Sequence, residues 1–231
     1  MPEASAFDLA AFERDGYAFH AGSLISHAQC LMLANEFESV GSAGARHVLD
    51  LPSVQSVLNE SALQSAIHTL LGRGAFAYKA TFFDKNSDTN WLVAWHQDIS
   101  IPVSQRLDIK GWRGWSTKDQ VQYVQPPDNI LSSLVALRLH LDPCEKNSGP
   151  LKVLVGSHVL GKIRQSEIVA LTANFSQHVV TGGMGSALLM RPLLVHASSK
   201  SASSNRRRVL HLEFAAVDLP DRLEWHRRVI L

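Results

Sequence analysis

The amino-acid sequence predicts a mainly β protein, a sandwich or barrel of short strands, with helices gathered in its first third. Two observations carry this. Apolar residues recur with a helical period up to about residue 74, and from Ala75 the pattern changes to short extended runs. Those runs are separated by turn signals, Asn-Ser-Gly-Pro at 147–150, Thr-Gly-Gly at 181–183 and an Asp-Pro step at 142–143, which suit a sandwich or barrel and not a parallel βαβ sheet.

Taken in order, residues 8–15 read as a short helix stopped by Gly16, and Gly16-Tyr17-Ala18-Phe19 begins an extended stretch. Ser26 followed three residues later by Gln29 is a capping-box pattern. It opens a helix whose apolar face is Cys30, Leu33, Phe37 and Val40. Ser61 and Gln64 repeat the pattern for a helix that runs through Ala66, Ile67 and Leu70 and stops near Gly72. Strands are expected at 77–83, 91–96, 133–141, 151–155, 185–196 and 207–215. The longest irregular piece is 102–127, which holds Gly111, Gly114, Pro126 and Pro127 together with Trp112 and Trp115. A loop of that length is either a lid or substrate wall, or a surface flap that packs its own aromatics.

The chain has 231 residues and nothing that marks a linker, so one domain over 1–231 is expected, its helical N-terminal region spanning residues 1–74. Its composition, 45% hydrophobic and 19% charged with net charge +1, has no basic excess to steer it onto nucleic acid or an anionic membrane. The first twelve residues carry Glu3 and Asp8 and do not read as a secretory signal, and no window is apolar enough for a membrane span. Cys30 and Cys144 are far apart and read as reduced thiols. A cytoplasmic protein is the expectation.

The chemistry is concentrated in His96-Gln97-Asp98, in His196 a hundred residues later, and in Arg207. On a strand, residues two apart share a face, so His96 and Asp98 can reach one metal while Gln97 turns away. The third ligand, His196, must then arrive from another strand. Two imidazoles and a carboxylate occupy one face of an octahedral ion and leave the other open, which suits a non-haem Fe(II) that binds a co-substrate and O₂. His158 competes by composition but follows a turn glycine and has no carboxylate at strand spacing. His140 shares a strand face with Arg138 and Asp142 and reads either as a pocket residue or as a partly exposed histidine.

These residues sit in a wider pattern. Trp95-His96-Gln97-Asp98, Leu139-His140-Leu141-Asp142 leading to Asn147-Ser148-Gly149-Pro150-Leu151, Gly156-Ser157-His158 and His196-Ala197-Ser198 with the arginine strand to Phe214 follow one another in order. In this the chain resembles the phytanoyl-CoA dioxygenase family of Fe(II) and 2-oxoglutarate dependent oxygenases. The resemblance implies a double-stranded β-helix, a cupin-like jelly roll over 75–216 with helices packed on one sheet. It implies Fe(II), 2-oxoglutarate and O₂, with succinate and CO₂ released as a small organic molecule is hydroxylated.

Position by position, His96, Asp98 and His196 match the iron ligands. Arg207 matches the arginine that grips the distal carboxylate of 2-oxoglutarate, Ser198 the hydroxyl that helps it, and Lys85 a lysine near the co-substrate. Strand parity favours Arg207 over Arg206 and Arg208, because Arg208 shares its face with Leu210, Leu212 and Phe214. Lys85 has a second reading, a solvated lysine in the polar run 84–88 that includes Ser87 and Asp88. Trp112, Trp115, Arg138, His140 and His211 are candidates for the substrate pocket. Related halogenases carry a small residue where Asp98 stands, so the resemblance implies hydroxylation. Two other classes fit the residues: a cupin-type metalloenzyme that does not use 2-oxoglutarate, and a binding protein without turnover. Substrate and oligomeric state are not legible.

Overall fold

The computed structural model describes residues 6–40, 43–86 and 89–231, with the side chains of residues 39 and 40 excepted. Glu3, the side chain of Val40, Ser87 and Asp88 lie outside the described residues. The strands are β1 (Tyr17–His20), β2 (Gly44–Arg46), β3 (Phe76–Lys85), β4 (Val93–His96), β5 (Ile101–Val103), β6 (Arg113–Lys118) and β7 (Val121–Gln125). They continue with β8 (Val135–His140), β9 (Leu151–Leu154), β10 (Gln177–Val180), β11 (Ala187–Met190), β12 (His196–Ser198), β13 (Arg207–Ala215) and β14 (Val229–Ile230). The helices are α1 (Leu9–Asp15), α2 (His27–Glu36), α3 (Pro52–Leu58), α4 (Ser61–Leu71), α5 (Asp128–Ser132) and α6 (Gln165–Leu171).

A large antiparallel sheet runs in the order β1-β11-β8-β13-β3-β14, with β2 also on β3. A smaller one runs β10-β9-β12-β4. Together they make the jelly roll that the resemblance implies, and the large sheet reaches past residue 216 because β14 pairs with β3. The helices cover its outer face: Cys30, Leu33, Val57, Leu63 and Ile67 pack with Leu137, Leu139, Leu210, Leu212 and Phe214 in one buried cluster. That burial takes one parity of β13 out of water and leaves the other facing the interior.

Local signals set several boundaries as expected. Asp8 caps α1 by accepting from the Ala11 amide at 3.0 Å, and Gly16 ends it at φ 81°. Ser26 and Gln29 complete a reciprocal capping box at α2. The second box does not form. Ser61 is already helical, and the Gln64 side-chain amide donates instead to the Leu58 carbonyl at 3.0 Å, at the end of α3 just upstream.

Two expectations about strands are corrected. The 185–196 run is split by Pro192 and a turn in which the Leu194 amide donates to the Arg191 carbonyl at 2.9 Å, so β11 belongs to the large sheet and β12 to the small one. Residues 102–127 are not an irregular loop but hold most of a third sheet, β5-β7-β6. Its β6–β7 turn places Asp119 and Gln120 at φ 48° and 66°. Strand β6 is exposed along nearly its whole length, so it shows no apolar alternation to recognise.

Candidate metal centre

Strands β4 and β12 are antiparallel neighbours in the small sheet, and their register sets His96 directly against His196. The two rings lie 4.2 Å apart between centroids. Asp98, two residues beyond His96, turns back to the same place, held by its amide on the Pro192 carbonyl at 2.9 Å. His96 Nε2 is 3.7 Å from Asp98 Oδ1, and His196 Nε2 is 3.5 Å from Asp98 Oδ2. All three donors lie within 4.8 Å of one another, the only such cluster among the described residues. Gln97 points the opposite way. Its amide donates to the Gly161 and Leu193 carbonyls at 2.8 and 2.6 Å and its carbonyl accepts from the Ile163 amide at 2.9 Å.

The imidazoles are held in one tautomer. Nδ1 of His96 donates to the Ala94 carbonyl, and Nδ1 of His196 to the Leu194 carbonyl, each at 2.8 Å. A carbonyl can only accept, so a proton sits on each Nδ1 and Nε2 is the nitrogen turned toward Asp98 and free to ligate. Burial works to raise the Asp98 carboxyl, but His196, His211, His96 and Lys79 outweigh it and hold the group well below the usual carboxylate range. Burial pushes His196 down to about 4 against the opposing pull of Asp98. The site therefore offers a carboxylate at Asp98 and a neutral imidazole at His196 at pH 7, the protonation states that metal ligation requires. His196 is 6% exposed, while the side chains of His96 and Asp98 are 32% and 33% exposed, so the donors have one open side. Two imidazole nitrogens and one carboxylate oxygen fit a non-haem Fe(II).

A cavity of about 130 Å³ adjoins the donors, lined also by Lys79, Thr81, Phe83, Trp91, Arg138, Met190, Ser198, Arg207 and His211. Among the three consecutive arginines, Arg206 pairs with Asp84 at 2.5 Å and Arg208 grips Asp142 through two bonds of 2.8 and 2.9 Å. Arg207, only 2% exposed, has Nε and Nη1 with no hydrogen-bond partner among the described residues. A buried guanidinium left that way is costly and fits an incoming carboxylate.

The other sequence candidates divide. Ser198 lines the cavity, and Lys85 stands behind it. Lys85 ends β3 fully buried, not in a solvated loop, and its ammonium donates to Ser198 Oγ at 3.2 Å and to the Ser199 carbonyl at 2.7 Å. Burial and then Arg207 lower it to about 8. His211 faces the donors, its Nε2 3.8 Å from Asp98 Oδ2, and burial lowers it to about 3. Arg138 lines the cavity. His140 does not, nor is it partly exposed: it is buried, with Nδ1 3.1 Å from Ser186 Oγ. Trp112 packs with Ile101, Val103 and Trp225 in a separate cluster, and Trp115 borders that cluster, so neither lines the cavity.

Sequence reasoning missed Lys79, Thr81 and Phe83. They follow from Lys85 by counting back in twos along β3, a signal available in the residues themselves. Val93 was not available in this way. A bulge puts three steps of β4 opposite two of β12, so Val93 and His96 face the same cavity against parity.

Comparison with protein families matches residues 34–209 to Phytanoyl-CoA dioxygenase (PhyH). No curated protein matches the chain. Among solved structures it is similar to SnoK, a non-heme alpha ketoglutarate dependent carbocyclase from nogalamycin biosynthesis, at 13% identity and TM-score 0.70, over 91% of this chain and 83% of that one. EctD from S. alaskensis with 2-oxoglutarate and 5-hydroxyectoine has 16% identity and TM-score 0.69, over 94% of this chain and 79% of that one. AviO1 from Streptomyces viridochromogenes Tue57 has 20% identity and TM-score 0.64, over 95% of this chain and 99% of that one. At these identities the likeness is one of fold.

Proposed function

The chain belongs to the phytanoyl-CoA dioxygenase family, whose cofactors are Fe(II), 2-oxoglutarate and O₂, and on that premise we propose that it hydroxylates a small organic molecule with release of succinate and CO₂. His96, Asp98 and His196 hold the iron. Arg207 binds the distal carboxylate of 2-oxoglutarate through the parallel bonds of its planar fork, Ser198 adds a hydroxyl, and Lys85 fixes Ser198 from behind. Bound iron supplies activation of O₂ coupled to oxidative decarboxylation of the co-substrate. Phe83, Trp91, Leu151 and Met190 give the cavity apolar walls that limit water around the reacting groups.

The observation that carries this reading is a buried guanidinium, with Nε and Nη1 unpartnered and no carboxylate paired with it among the described residues, sharing one small cavity with a two-histidine, one-carboxylate cluster. A cupin-type enzyme without 2-oxoglutarate, or a binding protein, has no use for that arginine. We read the enzyme as one cytoplasmic domain. Among the described residues no helix is long and apolar enough to cross a membrane.

The test is a panel of candidate substrates incubated with Fe(II), 2-oxoglutarate and O₂, with succinate release and product mass both followed. A compound that stimulates succinate and gains one oxygen atom from O₂ supports hydroxylation. A stimulating compound that is cyclised or epimerised without gaining oxygen contradicts it while leaving the oxygenase chemistry in place.

A further inference from the structure

We propose that Arg138 is a second carboxylate anchor in the cavity, holding the 1-carboxylate of 2-oxoglutarate at the metal end while Arg207 holds the 5-carboxylate. The inference rests on the 2-oxoglutarate reading above and goes beyond it in naming what grips the reacting end. Arg138 lies in β8 and is 8% exposed, with its Nε unpartnered and no carboxylate paired with it among the described residues. Its guanidinium lies 5.4 Å over the ring of Phe83, which fixes the plane of the fork. Across the sheet its partner is His211, and His211 in turn reaches to 3.8 Å from Asp98. Arg138 therefore leaves β8 level with His211, the residue that reaches toward Asp98, whereas Arg207 leaves β13 four residues away, at the end marked by Lys85 and Ser198.

Charge explains why an anion is needed there. Arg206 and Arg208 show how this chain treats a structural arginine, since each is neutralised by a carboxylate. Arg138 and Arg207 are not. Of the nearby acids, Glu213 is taken up by Lys79 at 2.5 Å and by the Tyr78 hydroxyl at 3.2 Å, and Asp98 belongs to the metal cluster. Two guanidiniums shut away from water without counter-ions are unfavourable, and a ligand with a carboxylate at each end relieves both. The forks suit that ligand better than point charges would.

The experiment dissects 2-oxoglutarate from both ends. Levulinate is the same molecule with the 1-carboxylate replaced by methyl, and 2-oxobutanoate is the same molecule without the 5-carboxylate. Affinities are measured by calorimetry with and without Fe(II) under anaerobic conditions. Arg138→Gln should weaken 2-oxoglutarate and 2-oxobutanoate at least about tenfold and leave levulinate unchanged, and Arg207→Gln should weaken 2-oxoglutarate and levulinate and spare 2-oxobutanoate. As a second readout, Arg138→Met keeps the stem on Phe83, so the ligand-free protein should melt higher than the wild type once the uncompensated charge is gone. Unchanged 2-oxoglutarate affinity in Arg138→Gln, an equal loss for levulinate, or a lower melting temperature of Arg138→Met would each overturn the assignment. Wild-type protein that binds none of the three ligands, with or without Fe(II), contradicts the 2-oxoglutarate reading itself.

Discussion

His96 and His196 each donate their Nδ1 proton to the carbonyl two residues upstream, Ala94 and Leu194, and so turn Nε2 to the space shared with Asp98. Removing one donor leaves two, too few to fix an open-faced octahedral ion. His96→Ala and Asp98→Ala should each lower Fe(II) affinity by ~100-fold or more while far-ultraviolet circular dichroism stays as in the wild type, because both side chains lie at the open rim and not in the helix-covered core. Retention of wild-type iron content in either variant would exclude it as a ligand. His140 allows a test away from the donors. Burial, with Arg138 and Arg207 adding to it, lowers it from 6.5 to about 3. The unfolded chain takes up this proton below pH 6.5 and the folded chain does not, so the stability tied to neutral His140 is complete above 6.5 and is lost as pH falls toward 3. In metal-free protein His140→Gln should flatten the urea-unfolding stability between pH 6 and 4 by about 1.4 kcal/mol per pH unit, and an unchanged slope would refute the buried-neutral assignment.

At the scale of elements, the donors depend on segments that never touch the metal. Gln97 ties the end of β4 to backbone groups of Gly161, Ile163 and Leu193. Gln97→Ala leaves those buried groups unpaired and should cost roughly 1–3 kcal/mol in urea unfolding. It should also lower metal affinity by ~10–100-fold, as loss of an orienting partner does. If metal affinity does not change, the tie is structural only. Gly149, in the Asn-Ser-Gly-Pro turn, has φ +65°, and an added Cβ would stand 2.5 Å from the Ser199 carbonyl that holds Lys85. Gly149→Ala should destabilise the protein by about 1–3 kcal/mol and weaken 2-oxoglutarate binding together. Normal 2-oxoglutarate affinity in this variant would uncouple the turn from the cavity.

These elements also show what the residues reveal unaided. The Arg207 strand was legible because strand parity is strict where no bulge intervenes, and the capping box at Ser26 because its partners are local. His-x-Asp was legible as a ligand pair although β4 ends at His96 and Asp98 is brought back by the Pro192 carbonyl and not by strand parity. The β6 strand was not legible, since it is exposed along nearly its whole length and its pairing is the only thing that makes it a strand. Trp112 and Trp115 were misplaced with it, because aromatic composition cannot tell a cavity wall from the separate cluster around Trp225. Lys85 was ambiguous for a different reason: its polar neighbours hide that pairing with Arg207 of β13 draws it into the interior.

At the scale of the whole molecule, helices on one face of the large sheet and a small sheet on the other bring residues a hundred positions apart to a single cavity. The cavity gathers Arg138 and Arg207 with Lys85 behind Ser198, and this concentration of positive charge makes the ligand-free state less favourable than the loaded one. Saturating 2-oxoglutarate should therefore raise the melting temperature, by an amount that grows with the logarithm of ligand concentration. A melting point indifferent to the ligand would count against the co-substrate site. The central claim, that His96, Asp98 and His196 form an iron centre that consumes 2-oxoglutarate, is tested most directly by succinate formation from 2-oxoglutarate under O₂ with added Fe(II). The wild type should produce succinate in step with CO₂, and His96→Ala and Arg207→Ala should not. Equal succinate from the wild type and His96→Ala, or none from the wild type at any Fe(II) concentration even with the substrate panel present, would contradict it.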